Sequence, residues 1–178
     1  MPAEFHGHVF IGVSYDGFIA RHDGDIKWLT ERELEFNTTG YDEFMSSVDG
    51  LIIGRATFET VEAMEDWSYG DRRVLVVSTT LDPSNPVNEH VTIHPSIEEA
   101  VAQFTSEGRT NAYVDGGKLI QSFLRAGLID SLIVTRAPVL IGDGAPLFGA
   151  LDADIELEHD ATKVLGGGFV QSRYTVKK

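Results

Sequence analysis

The sequence predicts an α/β fold: a mostly parallel sheet flanked by helices, with an antiparallel hairpin at one edge. Three observations predict it. Short apolar runs alternate with amphipathic helical stretches through residues 8–134. Two of those runs pass through glycine straight into a helix, at Gly54 and at Gly116-Gly117. The chain then closes on two strand-like segments, 155–165 and 169–176, around Gly166-Gly167-Gly168.

The elements follow in order. Residues 8–13, HVFIGV, are almost continuously apolar and suit a strand covered on both faces. Ser14 to Gly17 form a turn, Phe18-Ile19-Ala20 follows, and Asp23-Gly24 marks a second turn. Trp28 is either a core or rim aromatic or the floor of a pocket for a flat heterocycle. Thr30 and Glu33 fit a capping box opening a helix over TERELEF, interrupted at residues 37–40 and resumed at 41–48. Residues 49–54 and 74–77 are short buried strands, 81–90 is a loop, and 91–93 is another strand. Ser96 and Glu99 cap a helix that stops at Gly108. Residues 112–114 run into Asp115, Gly116 and Gly117, and a helix with Leu119, Ile120, Phe123 and Leu124 on one face ends at Gly127. Residues 129–134 are a strand and 138–148 a loop punctuated by glycine and proline.

Composition narrows the function. With 178 residues and 42% hydrophobic content the chain is expected to form one domain, 1–178. The absence of cysteine excludes disulfides and thiolate metal sites, and no metal is expected. No apolar run approaches the roughly 20 residues of a membrane span. The N-terminus lacks the basic-then-apolar pattern of a signal peptide, so a cytoplasmic protein is expected. A net charge of −14 argues against nucleic acid as a partner.

The two strand–glycine–helix junctions carry the chemistry. Glycine lets a ligand approach the backbone, and the free N–H groups of a first helical turn attract anions. Arg55 stands at a helix start, where the dipole disfavours a cation; a bound anion or a surface salt bridge would explain it. Ser78 and Thr79 end a third strand, as turn-formers or as ligand contacts. Two such junctions with nearby hydroxyls suggest one extended polyphosphate ligand. The long Rossmann and P-loop glycine fingerprints are absent.

The segments SYDGFIA (14–20), LIIGRATFE (51–59), GDRRVLVVST (70–79), YVDGGKLIQSFL (113–124), LIDSLIVT (128–135) and PVLIGDGAPLF (138–148) occur in one order along the chain. In that order they resemble the dihydrofolate reductase-like superfamily, in the branch similar to the reductase domain of bacterial riboflavin-biosynthesis deaminase–reductases. The resemblance implies an eight-stranded sheet, NADPH as cofactor, and hydride transfer to a small heterocyclic or carbonyl-type substrate. A dihydrofolate reductase, or a non-catalytic nucleotide-binding protein of the same fold, is the alternative.

By the same resemblance, Gly12, Val13, Ile19 and Ala20 line the nicotinamide pocket. Gly54, Arg55 and Thr57 contact phosphates, Ser78 and Thr79 lie on the 2′-phosphate side, and Gly116, Gly117, Lys118 and Leu119 cradle the pyrophosphate. Asp115 departs from the pattern, replacing a glycine found in many members. Its carboxylate must turn away from the pyrophosphate or pair with Lys118. Trp28 is the substrate-side aromatic, and Glu33, Asp16 or a bound water is the expected proton source. A homodimer is expected from the terminal hairpin and the tendency of the family. Gly117→Val is expected to abolish cofactor binding and leave a folded protein.

Overall fold

The computed structural model describes residues 4–64, 66–84 and 88–178. The centre of the 81–90 loop, residues 85–87, lies outside that range. The strands are β1 (His6–Val13), β2 (Phe18–Ala20), β3 (Gly50–Gly54), β4 (Val74–Val77), β5 (Val91–His94), β6 (Asn111–Asp115), β7 (Ile129–Arg136), β8 (Ala145–Pro146), β9 (Leu157–Val164) and β10 (Val170–Val176). The helices are α1 (Lys27–Thr30), α2 (Tyr41–Ser47), α3 (Arg55–Glu62), α4 (Ile97–Ser106) and α5 (Gly117–Arg125).

Eight strands form one sheet in the order β5-β4-β3-β6-β1-β7-β10-β9, and β2 and β8 pair as a separate small ribbon. The six strands from β5 to β7 are mutually parallel; β10 runs antiparallel to β7 and to β9. This is the expected α/β architecture with its antiparallel edge.

The strand sequences explain why both faces are covered. In β3, Leu51, Ile52 and Ile53 are all fully buried. Ile52 and Leu75 pack with Phe104 of α4 and with Ile120 and Phe123 of α5. Leu51, Ile53 and Val76 pack on the other side with Phe44 of α2 and Phe58 of α3. Continuous β-branched runs belong to such doubly covered parallel strands. In contrast, every residue of β9 is exposed.

Three local expectations are revised. Thr30 does not open a helix; it is the last residue of α1, and its hydroxyl donates to the Ile26 carbonyl. The Arg32 side chain donates to the Trp28 carbonyl at 2.6 Å, so a guanidinium takes a free end of α1 and residues 33–35 leave helical geometry. The loop over 138–148 contains β8, which pairs with β2. The triple glycine folds as one 3-10 turn, with Gly167 at φ +68 against the Glu33 carbonyl, where a Cβ would sit 2.5 Å from that oxygen.

The cap predicted at Ser96 is present: its hydroxyl accepts from Glu99 N–H at 3.2 Å. At the far end of the sheet Arg73 fastens three elements. It donates three times to the carboxylate of Glu107, which follows α4, at 2.8, 2.9 and 3.1 Å, and also to His90 O and Thr92 Oγ1. Among the described residues no helix is long and apolar enough to cross a membrane.

The hydrogen bond from Arg73 holds the Glu107 carboxyl down at about 2. Its folded pKa lies below its unfolded one, so the stabilisation is present above about pH 4.5 and is lost as pH falls toward 2. Glu107→Gln should cost about 1.5–3 kcal/mol at neutral pH, a drop in melting temperature of roughly 3–10 °C. The difference from the parent protein should shrink toward zero near pH 2. Thermal melts followed by circular dichroism across that range check both statements.

Candidate functional site

The parallel strands β3 and β6 are neighbours, with Ile53 opposite Asp115, so they end at the same level. Each passes at once into a helix, and the two helix starts therefore lie side by side. Gly116 has φ +108, a conformation that favours glycine, and a Cβ there would sit 3.0 Å from Thr57 Oγ1 and 3.4 Å from Gly54 N. A Cβ on Gly54 would meet the Leu119 side chain at 3.7 Å. Neither α3 nor α5 has a side-chain cap on its first turn. The structure thus brings Gly54, Thr57, Gly116, Gly117 and Leu119 together around two uncapped helix N-termini. Lys118 is exposed on the first turn of α5.

The β2–β8 ribbon covers the start of α5. A Cβ on Gly117 would lie 2.9 Å from both Ile19 Cδ1 and Pro146 O. Ile19 is thereby packed against Gly117, and Ala20 pairs with Ala145 next to it. Val13 shares a core cluster with Leu119, and Ile19 packs against that cluster. Val13 is buried in the core, and the bare Cα of Gly12 is covered by Leu29, whose Cδ2 a Cβ would meet at 2.7 Å.

Asp16 holds this ribbon in place. Its carboxylate oxygens accept N–H bonds from Ile141 at 3.2 Å and Gly142 at 2.8 Å. The Ser14 hydroxyl together with these amides keeps its pKa below the ordinary carboxylate value. Asp16 is thus an acceptor that ties two loops together.

Of the remaining phosphate-side residues, Arg55 is exposed and reaches Glu59 one turn on at 3.5 Å. The salt-bridge explanation for its position is thus met by the chain itself. Gly54 is opposite Val77, so Ser78 and Thr79 also lie at this end of the sheet. The Ser78 hydroxyl is buried and accepts from Thr80 N–H and Leu81 N–H, acting as a turn-former, while Thr79 is exposed.

Trp28 is buried in a small core with Ala137, Leu165 and Phe169. It also borders a cavity of about 410 Å³ with Arg21, Asp25, Lys27, Glu31 and Arg32. Glu33 is exposed and lies outside any helix, because α1 stops at Thr30. The helical carboxylate expected after the tryptophan is therefore not formed. Among the described residues, no three His, Asp or Glu side chains are grouped so as to hold a metal ion.

The sequence reading treated the Asp115 carboxylate only as an unfavourable neighbour of a pyrophosphate and gave it no role in the chemistry. Strand alternation puts it on the same face as Tyr113, whose hydroxyl donates to Phe10 O at 2.9 Å. Tyr113 packs with Tyr41 and Phe44. Burial pushes the Asp115 carboxyl up to about 6, against the lowering effects of the Gly116 N–H and the Tyr113 hydroxyl. Burial, and next the Asp115 charge, raise the hydroxyl pKa values of Tyr41, Tyr69 and Tyr113. Asp115 is turned from the helix starts toward this tyrosine face, and its Oδ1 accepts from Gly116 N–H at 2.8 Å. The signal for it in the sequence was the period-2 spacing from Tyr113.

The family model described as the RibD C-terminal domain matches residues 6–171. The Bacillus subtilis protein YwjB, itself uncharacterised, is 37% identical over 161 residues, covering 89% of this chain and 91% of its own. The crystal structure of a Shewanella sp. PV-4 protein, provisionally named for riboflavin biosynthesis, superposes with a TM-score of 0.87 at 34% identity, covering 97% and 99% of the two chains. Dihydrofolate reductase from Enterococcus faecalis, solved as a complex with NADP(H), shares the fold at a TM-score of 0.67 and 20% identity, covering 98% and 97%.

The packing around Gly117 changes what a substitution there should do. A methyl group would collide with Ile19 and with the Pro146 carbonyl, which belong to the protein itself. Gly117→Ala should therefore displace the β2–β8 ribbon and lower stability by about 1–3 kcal/mol. The expectation that Gly117→Val leaves the fold untouched is withdrawn on the same ground. Chemical denaturation of Gly117→Ala measures the loss; an unchanged midpoint would contradict the packing described.

Proposed function

This chain belongs to the RibD C-terminal domain family, and we propose that it is an NADPH-dependent reductase. It would transfer a hydride to a small heterocyclic or carbonyl-type substrate, in the manner of 5-amino-6-(5-phosphoribosylamino)uracil reductase. The family comprises reductase-type domains, which supports an oxidoreductase. One observation carries the cofactor reading: two uncapped helix starts meet where Gly116 approaches Gly54 and Thr57. Bare N–H groups from two first turns suit a pyrophosphate.

In this reading the backbone N–H groups of Gly117, Lys118 and Leu119 hold the pyrophosphate, with Lys118 adding its charge. Arg55, released from Glu59, takes a phosphate oxygen, and Thr79 lies beside it. The side chains of Ile19 and Ala20 border the nicotinamide and exclude water from it. The cofactor, when bound, supplies the hydride, and no protein nucleophile is required. Asp115 supplies the proton. A carboxyl with a pKa near 6 carries a usable proton fraction around neutral pH, unlike an ordinary aspartate. A protein that only binds a nucleotide would show the same helix starts. The raised pKa of the Asp115 carboxyl favours turnover.

The direct test is loss of reduced-nicotinamide absorbance when NADPH is mixed with the protein and a panel of pterins, flavin precursors and ketones. Oxidation with at least one of them is expected. Tight binding without oxidation across the panel would favour the non-catalytic alternative.

Arg55→Ala should weaken NADPH binding by roughly one to two decades, the worth of one charge-assisted hydrogen bond, and NADH binding much less. Equal losses for the two cofactors would assign Arg55 to the shared pyrophosphate. As pH rises through about 6 the Asp115 proton is lost, so kcat should fall on the alkaline side of that value. Asp115→Asn should lower kcat by about 100-fold or more and flatten that limb. An unaltered pH profile in the variant would remove Asp115 from the reaction.

A further inference from the structure

We propose that Ser131, His8 and Asn111 form a second site, an acyl-transfer centre for small esters, at the end of the sheet opposite the two helix starts. β6, β1 and β7 are adjacent and parallel, and the three residues lie near the starts of these strands. A bulge selects the hydroxyl. Gly7 pairs with Ile129 but His8 pairs with Ser131, so Asp130 is an extra residue on β7. Without the shift Asp130 would stand opposite His8, and the imidazole would meet a carboxylate. Asp130 turns instead to His6, with Oδ2 3.2 Å from its Nδ1, and takes Lys178 Nζ at 2.7 Å on Oδ1. Bulges re-aim side chains and are rare between parallel strands.

Hydrogen bonds fix the roles. Asn111 Nδ2 donates to Thr110 Oγ1 at 3.0 Å, so Asn111 Oδ1 is free to accept. It lies 3.1 Å from His8 Nε2, which therefore carries the ring proton. His8 Nδ1 is then bare, and the Ser131 hydroxyl donates to it at 2.8 Å. Behind Asn111, Thr110 Oγ1 donates to the Asp49 carboxylate at 3.4 Å. The Asn111 and Thr110 amides keep the Asp49 carboxyl below its ordinary pKa. A nucleophile thus meets a base, a third group orients the base, and a carboxylate ends the line. Thr175, opposite Ser131 on β10, gives its hydroxyl to Asp160 and does not compete for Ser131. His8, Asn111 and Ser131 are each partly exposed, so a small molecule can reach the face they share.

The same face supplies the remaining parts. Ile133 pairs with Arg173 one step along from Ser131 and Thr175. Half-buried Ile133 offers apolar surface to a short acyl chain. Arg173 is exposed and diagonal to Ser131, roughly 7–8 Å away by sheet geometry, and its guanidinium can swing to a tetrahedral oxyanion. Ser131 Oγ bonds to the acyl carbon and passes its proton to His8 Nδ1. The ester C–O bond breaks, and the alcohol leaves with that proton. Water then attacks the acyl carbon, His8 takes the water's proton, and the Oγ–C bond breaks. The carboxylic acid departs and His8 returns the proton to Ser131.

p-Nitrophenyl acetate tests the proposal on the full chain. Nitrophenolate should be released, and a peptide map of acid-quenched protein should place an acetyl group on Ser131. Ser131→Ala should remove that label and the release above background. His8→Gln should slow acylation by about 100-fold or more. Asn111→Ala should slow it as well, and Asn111→Asp, which keeps an acceptor for His8 Nε2, should recover most of the rate. Each variant should keep the parent circular dichroism spectrum. Acetyl groups on lysines alone, no acetylation at all, or release by Ser131→Ala at the parent rate overturns the proposal. The map of the parent protein decides the matter even where a variant fails to fold.

Discussion

The register between β3 and β6 is the constraint on which the site depends. Ile53 lies opposite Asp115, so both strands release their chains at one height. Two helices can begin there only if the backbones nearly touch, and that contact is possible because Gly54 and Gly116 lack side chains. The ribbon of β2 and β8 then closes over Gly117 with the same tolerance. Any bulk at this junction would have to be absorbed by a strand register fixed along a fully buried sheet.

Electrostatics at the junction works against the overall charge. The chain is strongly acidic, yet the meeting point of the two helices offers partial positive charge from backbone dipoles. Asp115 keeps this arrangement intact by facing the tyrosines, where burial favours its neutral form. A raised carboxyl pKa means that folding is favoured more at acid pH and less as pH rises through 6, because the folded state resists ionising it. The chain thus retains a residue that costs stability at neutral pH.

Much of this was legible in the sequence because the signals were local. The continuous apolar run of β3, the capped stripe of α4 and the glycine-led start of α5 each lie within a dozen residues. What escaped was set by distant partners. Nothing near Thr30 announces that Arg32 will take the Trp28 carbonyl and stop α1. Strands of three and two residues, β2 and β8, are too short for periodicity to mark. Asp16 reads as a turn residue until Ile141 and Gly142 arrive at its carboxylate. Asp115 was visible as an odd residue beside two glycines, but its altered acidity comes from burial, which only the assembled fold supplies.

The position of β6 has a kinetic side. β1 and β3 never pair with each other; β6, which ends at Asp115, is inserted between them. During synthesis the inner edges of both strands stay open until more than half of the chain has emerged. Parallel strands joined across such sequence separations form slowly, because loop-closure entropy must be met before the pairing gives any return. The nascent protein therefore passes through a stage in which two bare, apolar strand edges wait for the segment that builds the site, and collisions between nascent chains are most hazardous then.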